Sequence, residues 1–447
     1  MSTVSNTSNM SALCALDDEA LLERLQRGAF DYFPQTANPV NGLVPDTSRE
    51  NSPVSIAVVG FALSAYPIGV ERGWMSRTEA VSLTLAALRF FRDSDQSGSP
   101  TATGYKGFYY HFLDIHSGKR VWQSELSMID TALLIAGVLA AAMYFSGDDP
   151  AECELRELAD LLYRRVDWLW SQNGGGTIRQ GWKPESGFLH YGWEGYSEAI
   201  VLYVLAVGSP THPISGDCYK AWTATYQWEN LYDHDYLYAG PLFVHQFSHA
   251  WIDLRGIRDS FMREKDFDYF LNSRHAVLIQ RHYTQLNPYE FNGYDKNCWG
   301  LSAGDGPSDE QPDVSNENRR LFGYAGRGVP YGPDDGTLSP PAVLGSLPFA
   351  PDIVLGALRN MLLRYPQMLT DDRLASGFNA TVGCGVQPWV SQGHYGLDQG
   401  IVMLMIENHR SQSLWHLMRQ CRYVRDGLRG AGFEGGWLHD DASKGAS

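Results

Sequence analysis

The chain has 447 residues, 44% of them apolar, and a formal charge of −16. That length and apolar share suffice for a large buried core. The charge argues against a nucleic-acid partner, which needs a basic stripe to neutralise phosphates, and against docking on anionic membranes.

Met1 to Leu16 carries neither a basic n-region nor an apolar core, so the chain as it stands reads as cytoplasmic, and as periplasmic if a leader has been removed. Asp17 and Asp18 are placed to cap a first helix with Leu21, Leu22, Leu25 and Ala29 on one face. Arg77 to Phe91 reads as a second helix. Ser127 to Tyr144 is apolar on nearly every side, which predicts a helix buried all round. The most apolar stretch of the chain, Thr131 to Phe145, is short for a membrane span. Glu152 to Trp170 is amphipathic, with Leu155, Leu158, Leu162, Val166 and Leu169 in register. Ser197 to Val207 is again apolar all round, and Pro351 to Tyr365 and Gly400 to Glu407 continue the helical pattern.

Fully apolar helices mixed with amphipathic ones predict an inner and an outer ring, the logic of an all-α, α/α toroid. Strand signals are sparse, and no strand–helix alternation supports a parallel sheet. No linker or low-complexity run divides the chain. The expectation is one catalytic domain over residues 17–438, with disordered tails at 1–16 and 439–447. Six cysteines form no CxxC pair, so they signal neither a zinc knuckle nor a disulfide framework.

Three long polar segments interrupt the helices: Gly98 to Trp122, Gln172 to Tyr196 and Tyr283 to Pro348. Structureless segments of this length are uncommon unless functional. They are rich in aromatics, and the chain holds 13 Trp and 24 Tyr. Aromatic rings offer flat apolar faces with polar edges, which suit the C–H faces and hydroxyl rims of sugars. Tyr109, Trp182, Tyr191, Trp193, Trp251 and Trp299 are the candidate stacking residues; core packing is the alternative for each.

The chain has no GxSxG, P-loop, GxGxxG or HExxH motif. His245 and His249 are spaced for one helical face, but Gln246 stands where a metalloprotease needs glutamate. We therefore expect no metal and no cofactor. Carboxylates are better candidates, because glycosidic cleavage needs one group to protonate the leaving oxygen and another to activate water or attack. Glu198 opens a strongly apolar stretch whose surroundings would keep it protonated as a general acid; stabilising a helix N-terminus is the alternative. Glu125 and Asp130 open the other fully apolar helix, with N-capping the plain alternative for Glu125, and Asp398 precedes a third. With Asp335, these three carboxylates are the candidates for general base, in no fixed order.

These stretches resemble the glucoamylase-like domain proteins, and within them glycoside hydrolase family 144. The resemblance runs from about Leu21 to about Trp415. It is carried by GFYYHFLDIHSGKR from Gly107, ELSMIDTALLIAG from Glu125, GYSEAIVLYVLAVGSPTHP from Gly195 and PLFVHQFSHAWIDLRGIRD from Pro241. NCWGLSAGDGP from Asn297, YGPDDGTLSPPA from Tyr331, SLPFAPDIVLGALRNM from Ser346 and DQGIVMLMIENHRSQSLW from Asp398 follow in order. The resemblance implies an (α/α)6 fold and an inverting hydrolase of β-1,2-glucan, endo-acting or releasing sophorose as an exo-enzyme. It places Glu198 at the general acid, with Glu125 and Asp130 near the cleft. His245, His249 and Arg255 would bind substrate, joined by His111, His190, Tyr196, Asp253, Asp305 and Tyr331 from the same blocks and loops. A related domain in cyclic β-1,2-glucan synthases performs transglycosylation, so sugar competes with water as the expected acceptor. A non-catalytic glycan-binding module ranks last. The oligomeric state stays open.

Overall fold

The computed structural model describes residues 10–308, 320–384 and 387–439. The tails expected at either end fall largely outside these residues, and residues 10–14 form a helical turn. Among the described residues, helices predominate and the sheets are small and antiparallel. No described helix is long and apolar enough to cross a membrane. The chain divides into two compact units.

The larger unit comprises residues 33–227, 248–270 and 412–447. Its centre is a pair of largely apolar helices, Ile56–Glu71 and Met128–Tyr144. They pack at very short range because glycines face each other. A Cβ on Gly137 would meet the Gly60 carbonyl oxygen at 2.0 Å, and one on Gly60 would meet the Leu133 carbonyl oxygen at 2.3 Å. Neither position tolerates a side chain without separating the helices. Arg77–Asp93 and Pro150–Arg165 bury one face each against this pair, with Ser76 and Asp149 as their N-caps. Ile200–Val207 is buried over almost its whole length, as its composition predicts.

Two helix boundaries differ from the sequence pattern. The amphipathic helix expected to reach Trp170 stops at Arg165, where Val166 turns extended and the Asp167 N–H bonds instead to the Lys106 carbonyl at 3.0 Å. The helix expected from Ser197 starts at Ile200, leaving residues 197–199 as a turn. A five-stranded antiparallel sheet caps this end of the unit, in the order Gly104–Tyr105, Phe108–Tyr110, Leu126–Ser127, Gly181–Lys183, Gly187–Phe188.

The smaller unit comprises residues 1–32, 228–247 and 271–411. Asp17 caps its first helix, Asp18–Thr36, by accepting from the Ala20 N–H at 2.8 Å. The helices Pro351–Arg364 and Gly396–Arg410 match the predicted segments, the latter longer at both ends. A three-stranded antiparallel sheet joins Thr337–Leu338, Phe378–Cys384 and Gln387–Val390.

Candidate active site

Strand register brings the first functional group into place. Tyr109 pairs with Ser127 and Tyr110 with Leu126 in the antiparallel ladder. One step further along, the His111 N–H bonds to the Glu125 carbonyl at 2.9 Å. The two side chains therefore meet, with His111 Nδ1 2.9 Å from Glu125 Oε1. Ser127 then ends the strand and caps the Met128–Tyr144 helix, its Oγ accepting from the Asp130 N–H at 3.1 Å. The cap turns Asp130 back toward the strand. Ser127 Oγ donates to Asp130 Oδ2 at 2.5 Å, and His111 Nε2 lies 3.6 Å from the same oxygen. One histidine is thus held between two carboxylates.

The electrostatics follow from that grouping. Burial alone would lower the His111 pKa, but Asp130, Glu125 and Asp46 outweigh it and hold it up to about 9. The imidazolium in turn holds Glu125 below the usual carboxylate range against the effect of its own burial. Asp46 joins the group from the turn after Pro45, and burial raises it to about 6. Glu198 is raised to about 7, chiefly by burial and further by the charge of Asp130. Its side chain is half-buried, so it meets solvent while losing most of its hydration. A carboxyl that keeps its proton near neutrality, within electrostatic reach of a second carboxylate, has the equipment for general acid work.

Glu198 sits in a turn whose backbone is tied on every side. The Gly195 N–H bonds to Thr225 Oγ1 at 2.6 Å, and the Gly195 carbonyl accepts from Trp222 Nε1 at 2.8 Å. Buried Ser248 donates to the Glu198 carbonyl at 2.6 Å and accepts from the Val201 N–H at 3.1 Å. Ser248 is therefore a positioning residue that spans the turn carrying the acid. A hydrogen bond contributes about 0.5–1.5 kcal/mol net, so Ser248→Ala should lower turnover by a few-fold to about tenfold. The measurement is kcat on native glucan and on a substrate with an activated leaving group. A positioning role predicts a smaller loss on the activated substrate; an equal loss on both would make Ser248 merely structural.

Of the other candidates in this unit, Trp182 is half-buried and stacks on Tyr105 at 5.3 Å, while His190 and Tyr191 are exposed. Trp193 and Tyr196 are mostly buried, and burial raises the Tyr196 phenol well above its ordinary range. Tyr109 and Trp251 correct the stacking expectation: both are core residues, Tyr109 against Phe91 and Trp251 against Phe61 with its Nε1 on Ser64 Oγ at 2.8 Å. His249 is buried, and its carbonyl accepts from Trp415 Nε1 at 2.6 Å. The Asp253 side chain is fully buried between Arg255 and Arg419, so it anchors structure rather than touching sugar. Arg255 is half-exposed, bonded to Asp253 and Gln412, and lies over the Trp415 ring.

The smaller unit holds the remaining candidates. Trp299 is a further correction, with no exposed surface to stack on. His245 is buried, pushed down to about 4 by burial, and 3.0 Å from the Ala239 carbonyl, which makes it a neutral structural histidine. Asp335 is not available as a base. Both its oxygens are taken by Arg327, at 2.7 and 2.9 Å, and by the N–H groups of Thr337 and Phe322. Asp398 is half-buried in the first turn of Gly396–Arg410. Asp305 accepts from Ser391 Oγ at 2.7 Å, and Tyr331 is exposed. Asp46 and Ser248 were not among the sequence candidates. The one signal for Asp46 is a lone acid directly after the apolar run Leu43-Val44-Pro45. Among the described residues, no three His, Cys, Asp or Glu side chains are arranged to hold a metal ion.

Comparison with known proteins agrees with a carbohydrate-active site. An exo β-1,2-glucooligosaccharide sophorohydrolase (non-reducing end) of Parabacteroides distasonis is 27% identical over 93% of this chain, which spans 58% of that relative's length. The solved "putative glucoamylase" of Bacteroides uniformis superposes with a TM-score of 0.83 at 28% identity, covering 95% of this chain and 99% of the other. The endo-β-1,2-glucanase of Chitinophaga pinensis, solved with sophorotriose and glucose, gives 0.81 at 26% identity, covering 95% of this chain and all of the other. The Glycoamylase family model, described as "Putative glucoamylase", matches residues 190–422. That is just over half of the chain, and this protein belongs to the glycoamylase family.

Proposed function

We propose that the chain is a glycoside hydrolase that cleaves β-1,2-glucan with inversion, Glu198 protonating the departing glycosidic oxygen while a second carboxylate activates water. The observation that carries this reading is Glu198 itself: half-buried, raised to about 7, fixed in a tied turn and within electrostatic reach of Asp130. Glu125 and Asp130, in the same compact unit as Glu198, are the candidate bases. The substrate follows the relatives, whose names specify β-1,2-linked glucans over nearly the full length of this chain. The (α/α)6 double ring belongs to the same reading, with the fully apolar Met128–Tyr144 helix suited to an inner ring.

The experiment is to follow products from linear β-1,2-glucan by chromatography and NMR. Inversion delivers the new reducing end first as the α-anomer, in short β-1,2-linked products. A β-anomer at early times would replace inversion by retention, and products longer than the substrate would replace hydrolysis by sugar transfer.

A further inference from the structure

The larger unit carries an open groove of about 440 Å³ between residues 45–53, which flank Asp46 in sequence, and residues 114–122. Thr47, Arg49 and Asn51 stand on one wall; Asp114, His116 and Trp122 stand on the other. Trp122 is 70% exposed, whereas Trp168, Trp222, Trp251, Trp299 and Trp415 are fully buried. An indole displayed to solvent loses the burial that ordinarily stabilises it, so something must hold it there.

The local structure does so firmly. Trp122 and Gln123 both adopt left-handed backbone, at φ 57° and 51°, a conformation that costs energy for residues with a Cβ. The turn is clamped from both sides. The Val121 N–H bonds to the Phe112 carbonyl at 3.1 Å, and the Ser124 N–H to the Val121 carbonyl at 3.1 Å. Arg120, its guanidinium almost fully buried, donates to the Ser124 carbonyl at 2.5 Å, pairs with Glu185 and lies over the Tyr110 ring. One side of the Trp122 indole leans on Phe112 with centroids 5.1 Å apart. Phe112 in turn stacks on His111 at 3.9 Å and 13°. The platform is therefore two ring contacts from the histidine that Glu125 and Asp130 hold.

We infer that this groove is a distal glucan subsite, in which Trp122 stacks on the C–H face of a glucosyl unit removed from the scissile bond. An apolar plate with a polar rim matches a pyranose ring: the indole takes its flat face, and the opposite wall takes its hydroxyls. The groove's volume fits a small part of a chain, and the short ring path from Trp122 through Phe112 to His111 names the chain as the one being cut. The proposal rests on the β-1,2-glucan reading. Its consequence is that Trp122 contributes to binding long chains more than short ones.

The test compares wild type, Trp122→Ala and Trp122→Phe on linear β-1,2-glucan and on sophoro-oligosaccharides of defined, increasing length. KM and kcat are measured separately, and circular dichroism monitors the fold. Trp122→Ala should raise KM on long glucan about tenfold, with a loss that shrinks as the chain shortens and a kcat that moves little. Trp122→Phe should recover most of the difference. An unchanged KM on long glucan overturns the subsite, as does an equal loss at every length. A wild-type protein that leaves β-1,2-glucan intact overturns the functional reading and the subsite with it; one that cleaves the glucan while Trp122→Ala matches it overturns the subsite alone.

Discussion

Glu198→Gln should lower turnover of native β-1,2-glucan by about 10²–10⁴-fold, the usual contribution of general acid catalysis, while glucan binding largely persists. The amide keeps the side chain's shape but cannot donate the proton. A substrate with an activated leaving group needs little protonation, so the variant should be far less impaired on it. Equal impairment on both substrates, or near-normal cleavage of native glucan, would remove Glu198 from the acid role. The pH profile gives a second readout. Because burial raises Glu198 to about 7, the protonated form dominates below that pH. In the wild type, kcat/KM should fall as pH rises through about 7, and this limb should be lost in the variant. Stability carries the same sign. The native carboxyl holds its proton more tightly than the unfolded chain, whose glutamate titrates near 4.5. Stability from this group is complete below about 4.5 and is lost as pH rises through about 7. Glu198→Gln should flatten that segment.

The helices of this protein were readable because burial writes itself into composition. Met128–Tyr144 and Ile200–Val207 have no polar face, and both lie inside the larger unit as expected. Boundaries were less legible, since Val166 and Leu169 keep the helical spacing after the helix has ended. Carboxylates opening apolar helices marked Glu198 and Asp130, and the structure gives each a reason to be there: Glu198 is raised by burial and by the charge of Asp130, and Asp130 lies 3.6 Å from His111. Asp335 opened no apolar helix, and its partner Arg327 is close in sequence, but their pairing depends on a loop geometry that no periodicity records. Aromatics were the weakest guide. A tryptophan in a polar segment can turn either way. Trp299 went into the core, while Trp122, the last residue of a predicted loop and not a candidate, was left on the surface. What separates them is the left-handed turn at Trp122 and Gln123, set by hydrogen bonds to the Phe112 carbonyl and from Arg120 that lie outside any local pattern.

Asp335→Ala should destabilise the protein by about 3–5 kcal/mol, the range for removing one partner of a buried ion pair. Both side chains are almost wholly excluded from water, so the variant would leave the Arg327 guanidinium buried without a counter-charge. Arg327 cannot simply withdraw, because it also donates to the carbonyls of Gly304, Phe322, Gly323 and Ala325. Replacing both members with apolar residues, which is often neutral for isolated pairs, should therefore fail to restore stability here: those carbonyls would lose their donor. Asp335→Asn should fall between wild type and alanine, since the amide keeps an acceptor oxygen but not the charge. Equilibrium urea unfolding gives the stability, and specific activity at low temperature gives the function of the folded fraction. The structure predicts a lowered unfolding midpoint with turnover of the folded protein retained to within a few-fold. A loss of turnover by a thousandfold at unchanged midpoint would return Asp335 to the candidates for general base. The distinction is physical: a base must release its lone pairs to water, and in this protein the oxygens of Asp335 are already committed to Arg327, Phe322 and Thr337.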